Sequence, residues 1–198
     1  MAFPLSDGYH VLPAGKLAAI VTWLDMTQPP QWRRDLPAGL ALRHVVHPSP
    51  RAYRDWFRQV GESWLWHGRL LDGEEELGRM LAMPEWEIYR LEDSGQLAGL
   101  LELDRRSPAD VEITYFGLVP SRVGAGVGKA FMSETLRMAW QPETRRVWLH
   151  TCTLDHPSAL YFYQSCGFRP YQRGLEISDD PRRTGLLPEG AGPHIPLL

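Results

Sequence analysis

Leu118-Val119-Pro120-Ser121-Arg122-Val123-Gly124-Ala125-Gly126-Val127-Gly128-Lys129-Ala130-Phe131 is the stretch on which the fold turns. The apolar run from Val111 to Val119 reads as a buried strand. Three alternate glycines follow it. Val127, Phe131 and Met138 then fall along one stripe of a helix ending near Trp140. The first N–H groups of a helix have no intrahelical acceptor, and the helix dipole favours negative charge there. Glycines leave those amides uncovered, so the loop reads as an anion cradle. A phosphorylated cofactor is the expected occupant.

The spacing excludes two of the chemistries that use such loops. A nucleoside-triphosphate loop needs Gly, four residues, Gly-Lys and then Ser or Thr. Here Val123 stands at the first glycine and Ala130 at the hydroxyl, so magnesium has no ligand. A dinucleotide fingerprint needs Gly-x-Gly-x-x-Gly inside a βαβ unit. Counting from Gly124, its third glycine falls on Lys129.

Working outward, the preceding elements form a meander. Trp86 to Leu91 alternates as a strand, Glu92-Asp93-Ser94-Gly95 turns, and Leu97 to Leu103 returns. Ser107-Pro108-Ala109-Asp110 turns again into the strand at Val111. Further upstream, Leu17 to Leu24 and Leu40 to Val46 read as strands. Ser49-Pro50 opens a helix over Arg51 to Val60, with a cap residue followed by proline. A second helix starts at Asp72, with Glu74, Glu75 and Glu76 in its first turn, and ends near Met83-Pro84. Downstream come a strand (Arg146 to Cys152), a short helix (Pro157 to Cys166) stopped by Gly167, and a last strand (Phe168 to Ile177). The Pro- and Gly-rich tail from Ser178 is expected to wrap loosely or be disordered. The order is a mixed α/β domain over residues 1–177 with a tail over 178–198, and not a doubly wound sheet.

Val123-Gly124-Ala125-Gly126-Val127-Gly128 resembles the Arg/Gln-x-x-Gly-x-Gly/Ala loop of the GNAT family of acetyl-CoA-dependent N-acyltransferases. It departs at the first position, where Val123 replaces Arg or Gln and Arg122 is displaced by one. Ala159-Leu160-Tyr161-Phe162-Tyr163-Gln164-Ser165-Cys166-Gly167-Phe168 is similar to that family's second block, Ala-x-x-(Leu/Phe)-Tyr-x-x-x-Gly-Phe. The resemblance covers Trp86 to Tyr171. It implies a mostly antiparallel sheet of about six or seven strands, splayed between the strand ending at Val119 and the strand Arg146 to Cys152. Acetyl-CoA is then the co-substrate. Its pyrophosphate is expected at the amides of Val123, Gly124, Ala125, Gly126, Val127, Gly128 and Lys129, and its pantetheine arm along Phe116, Gly117 and Leu118. An N–H near Leu118 is expected to polarise the thioester carbonyl.

The resemblance assigns Tyr163 as the acid that protonates the leaving thiolate, which a phenol can do. Glu112 is the expected base. An unperturbed carboxyl is weak for that task, so it needs desolvation or an intervening water. His156 takes the place where relatives often carry Asn, three residues before Ala159; it is a candidate for cofactor contact or for the base. Trp64, Trp66, His67 and Arg69 lie between the first two helices, where relatives form the acceptor pocket. The expected reaction is N-acetyl transfer to a primary amine of a small molecule or peptide. The alternative is an idle acyl-CoA-binding module on the same fold.

Bulk properties agree. The chain has 198 residues, 43% hydrophobic and 23% charged, as an ordinary globular domain does. A formal charge of −3 argues against general nucleic-acid binding. No apolar run is long enough to span a bilayer. The first residues carry neither a basic region nor an apolar one, so a cytoplasmic protein is expected. Cys152 and Cys166 are too few for a disulfide framework and are expected as free thiols. His150, Cys152 and His156 lie close in sequence but lack the spacing of a zinc site, so no metal is expected. No acidic strip for polyamines stands out. Relatives often pair, which leaves a homodimer open.

Overall fold

The computed structural model describes residues 6–198. The expected domain start, and most of the stretch read for a leader, lie in residues 1–5, outside the described residues. Seven strands form one sheet: β1 (Lys16–Met26), β2 (Leu40–His44), β3 (Trp86–Asp93), β4 (Gln96–Asp104), β5 (Asp110–Leu118), β6 (Arg146–Cys152) and β7 (Arg169–Asp179). Their order is β2-β3-β4-β5-β6-β1-β7. Five helices accompany them: α1 (Pro50–Gly61), α2 (Gly68–Leu71), α3 (Glu74–Leu81), α4 (Gly128–Ala139) and α5 (Ala159–Ser165).

Local chemistry accounts for most of the boundaries. The Ser49 hydroxyl accepts from the Ala52 amide at 3.3 Å, and Pro50 is the first helical residue of α1. Tyr53, Phe57 and Val60 make its buried stripe. The second long helix begins at Glu74 instead of Asp72, because Gly73 takes the extended cap position and leaves the three glutamates in the first turn. The one-turn α2 has no sequence signature, since four residues carry too little periodicity to register.

The sheet is covered on both faces. Leu24, Leu101, Ile113, Phe131, Leu136, Leu149 and Tyr163 pack together on the face of α4 and α5. Tyr53, Phe57, Leu77, Ile88 and Leu100 pack on the opposite face, under α1 and α3.

Two features of the sheet position the site. All neighbouring strands are antiparallel except β5 and β6, which pair in parallel only over Asp110–Glu112 against Arg146–Trp148. Beyond Glu112 they diverge. The divergence starts beside a β-bulge, since Glu102 pairs with Tyr115 and Leu103 with Ile113, leaving Thr114 as the extra residue. A bulge bends its strand and increases local twist. The second feature is β1, which lies antiparallel between β6 and β7 and thereby separates the last two strands of the chain.

The C-terminal segment differs from the loose tail expected. β7 runs to Asp179, and the residues beyond it pack on the α1 face. Leu187 and Ala191 are buried there. Asp180 and Arg182 are both buried, and Arg182 donates to Asp180 and to the carbonyls of Ala191 and Ile195. Proline and glycine mark turns as readily as disorder, and here one buried ion pair organises the turns. Hydrogen bonds from Arg182 hold the Asp180 carboxyl below its ordinary pKa. A carboxyl depressed on folding stabilises above its unfolded pKa, about 4, and ceases to do so as pH falls through the folded value. Hydrogen exchange is therefore expected to deprotect residues 183–198 selectively below about pH 4, and in Arg182→Gln already at neutral pH. No helix among the described residues is long and apolar enough to cross a membrane.

Candidate active site

The divergence of β5 from β6 opens a cleft of about 610 Å³ that passes from the α4–α5 face to the face carrying Trp64 and Trp66. It is lined by Phe116, Gly117 and Leu118 on β5, by Val123, Gly124, Gly126, Gly128 and Lys129 of the glycine loop, and by Ser158, Ala159, Phe162 and Tyr163 around α5. Ala125 and Val127 belong to the same loop but do not line the cleft, and Val127 is buried.

The glycine loop has the features of an anion cradle. Gly124 and Gly126 have φ of +79° and +77°, conformations that L-residues with side chains seldom adopt. Val127 caps α4 without any side-chain bond. The amides of Gly126, Val127, Gly128, Lys129 and Ala130 find no acceptor among the described residues. A Cβ on Gly128 would press Phe162 at 3.2 Å. Arg122, the displaced cation of the motif, turns away to pair with Asp93. Arg34 lines the same mouth of the cleft, its backbone amide donating to Ser133 on α4 at 2.9 Å. It lies outside both sequence motifs, and no motif signal marks it. The loop predicts its own test. Open space surrounds a Cβ at Gly126, so Gly126→Ala acts by backbone strain and by capping the cradle. For acetyl-CoA, the ligand that the resemblance implies, the Kd measured by calorimetry is expected to rise roughly tenfold, the equivalent of about 1.4 kcal/mol.

Tyr163 is 9% exposed and lines the cleft, packed edge-on against Phe116, Phe162 and Phe168. Burial, reinforced by Asp155, raises its phenol well above the ordinary value. It therefore stays protonated near neutral pH as a hydrogen-bond donor, and is a weaker acid than a free phenol. The hydroxyl of Thr114, the bulge residue, is buried in the cleft wall without a partner among the described residues.

On the opposite face the parallel register brings two residues from different strands together. Glu112 pairs with Trp148, so His150, two residues on, shares its face. The Glu112 carboxylate lies 3.7 Å from Nδ1 of His150. That carboxylate raises the imidazole above its ordinary pKa against the opposing effect of burial. His150 lines the cleft, whereas Glu112 stands behind it and does not. In the sequence His150 stands out only beside Cys152 and His156, without zinc spacing; its partner lies 38 positions away in the chain, and no local pattern links them.

The remaining candidates are placed as follows. His156 lines the cleft, with Nδ1 accepting from the Ser158 amide at 3.0 Å and its ring edge-on to Trp64. Trp64, Trp66 and His67 line the cleft wall on the α1 face. Asp155 ties that wall to β6, accepting from Trp66 Nε1 at 3.1 Å, Thr151 Oγ1 at 2.7 Å and the Cys152 amide at 2.9 Å. Arg69 is not brought to the cleft. Its guanidinium is held by the fully buried Glu102 at 2.5 Å and by Asp72 at 3.4 Å. Cys152 lines the cleft as a free thiol, and burial, with Asp155, pushes it up to about 11. It is neutral near pH 7 and a poor nucleophile. Among the described residues no group of three His, Cys, Asp or Glu side chains is arranged to hold a metal ion.

The acetyltransferase (GNAT) family matches residues 47–168. Solved structures match as well. A GCN5-related N-acetyltransferase from Sphaerobacter thermophilus is 19% identical with a TM-score of 0.61, over 82% of this chain and 52% of that one. One from Kribbella flavida is 14% identical with a TM-score of 0.55, over 84% of this chain and 60% of that one. An aminoglycoside acetyltransferase from an uncultured soil metagenomic sample is 14% identical with a TM-score of 0.53, over 65% of this chain and 88% of that one. The chain thus spans little more than half the length of the first two. No curated protein matches it. At these identities the likeness to solved structures is one of fold.

Proposed function

The chain belongs to the GNAT acetyltransferase family, and on that premise we propose that it transfers an acetyl group from acetyl-CoA to a primary amine by direct attack in a ternary complex. The observation that carries this reading is the continuity of the cleft. It runs from the glycine cradle, past Tyr163, to His150 on the opposite face.

The residues fit the cofactor. The unpartnered amides of Gly126 to Ala130 at the start of α4 suit its phosphates, and the free edge of β5 over Phe116, Gly117 and Leu118 suits its pantetheine amides. Ala159 and His156 form the wall facing that edge. Bound acetyl-CoA supplies an activated thioester carbonyl. Neutral His150 accepts the proton that the amine loses, and Glu112 behind it orients the ring and stabilises the imidazolium. The amine nitrogen forms the new C–N bond, the C–S bond breaks, and Tyr163 gives its proton to the departing sulfur. The products are the N-acetyl amine and the free thiol. The neutral Cys152 favours this route over one through an acetylated cysteine. The base is thus His150 held by Glu112, in preference to Glu112 acting alone or to His156, whose Nδ1 is engaged at the turn.

The test is a screen of amine classes with acetyl-CoA, read by thiol release. Release with an amine class supports the reading. Tight binding of acetyl-CoA with no release on any class would point to the idle module instead.

A further inference from the structure

Two carboxylates line the cleft, Asp155 and Glu176. Asp155 is fully engaged by Trp66, Thr151 and the Cys152 amide. Glu176 has neither a hydrogen bond nor an ion pair among the described residues. It sits on β7 opposite Ala19 of β1, and Val21 of β1 lies opposite Cys152 of β6. Residues two apart share a face, so Glu176, Ala19, Val21, Cys152 and His150 lie on one surface, which ends at the proposed base. The charge of Glu176 reaches both His150 and Cys152, raising the pKa of each.

The other groups on this wall are neutral or already engaged. Trp64 and Trp66 are aromatic and suit the flank of a cation. His67 Nδ1 is bonded to the Leu65 carbonyl at 2.8 Å. The cleft-lining cations Arg34 and Lys129 belong to the cofactor mouth. Among the described residues the acceptor side therefore carries two carboxylates, of which Glu176 alone has neither a hydrogen bond nor an ion pair. Glu176, exposed on the edge strand β7, lies two strand spacings from β6, and Ala19 opposite it is four residues along β1 from Trp23, which pairs with His150, so the backbone span from Glu176 to His150 is roughly 16 Å.

We infer that the acceptor is a dication, a linear molecule with a second amine that Glu176 holds while the first faces His150. This rests on the acetyl-transfer reading above and names its substrate class. The linear sequence hides the arrangement, since Glu176 reaches this wall only because β1 separates β7 from β6. A one-charge acceptor would leave Glu176 facing apolar substrate, and an amino acid would set its carboxylate against it.

The experiment compares kcat/KM for linear diamines of increasing length with matched n-alkylamines and with ω-amino acids, using the full chain and thiol release. The diamines are expected to be preferred over monoamines by about fivefold or more, chiefly through KM, and the ω-amino acids to be poorest. Glu176→Gln should remove that preference by raising the diamine KM, and Glu176→Lys should reverse it towards ω-amino acids. Circular dichroism of each variant verifies folding. Equal kcat/KM for diamines and monoamines, or a preference that survives both substitutions, would overturn the inference and leave the transfer reading standing. No thiol release with any amine would overturn both.

Discussion

Replacing His150 by Gln is expected to lower kcat/KM for amine acetylation by about 10²- to 10⁴-fold, the range for loss of a positioned general base. The pH profile distinguishes this from a packing defect. With His150 as the proposed base, the imidazole must be neutral, so kcat/KM is expected to rise with pH through its pKa. Glu112 raises that pKa, which puts the limb above the ordinary imidazole value of about 6.5. Glu112→Gln removes the negative neighbour, so the limb moves to lower pH while the maximal rate falls. If Glu112 itself were the base, its amide would abolish the rate and His150→Gln would leave the limb in place. Measuring both variants across pH separates the two assignments.

Arg69→Met is expected to cost about 3–5 kcal/mol of stability, because it strands a fully buried carboxylate. Glu102 is 0% exposed and holds Arg69, while the Tyr53 hydroxyl donates to the same carboxylate. Burial, with Glu102 beside it, raises the Tyr53 phenol far above its ordinary value, so it remains a donor. For a chain of this size the loss corresponds to a fall in Tm of roughly 6–20 °C. Arg69→Met combined with Glu102→Leu should recover most of it, since a buried ion pair replaced by apolar groups of similar size is often neutral. The amine KM of any folded Arg69 variant should stay near wild type. A large rise in KM with unchanged Tm would instead return Arg69 to the acceptor pocket, where its position in sequence first placed it.

What could be read in the chain was whatever its local chemistry dictates. The cradle at Gly124–Gly128 is local because glycine spacing, a strand before and a helix after are all contiguous. The Tyr163 block is local for the same reason, and Ser49-Pro50 gave the start of α1 to the residue. What could not be read depends on which strands become neighbours. Glu112 was recognised as a candidate, but not that it would stand behind His150, because that contact is made by three residue pairs of parallel register. The placement of β1 was equally hidden. Its alternation marks a strand, yet nothing in Lys16–Met26 says that it inserts between β6 and β7, where Asp25 meets Arg146 at 2.9 Å. The same limit applies to Arg69 and the C-terminal segment. An arginine among tryptophans looks like a binding residue until Glu102, 33 positions away, is seen to hold it. A Pro/Gly-rich tail looks loose until Asp180 and Arg182 are seen buried against each other.

Direct transfer, as proposed, takes place inside one cleft that holds both substrates. Initial velocities over a grid of acetyl-CoA and amine concentrations test it most directly, with the intact mass of the protein recorded after exposure to acetyl-CoA alone. Direct transfer gives intersecting double-reciprocal lines and an unmodified protein. Parallel lines, with an acetyl group on Cys152, would contradict it.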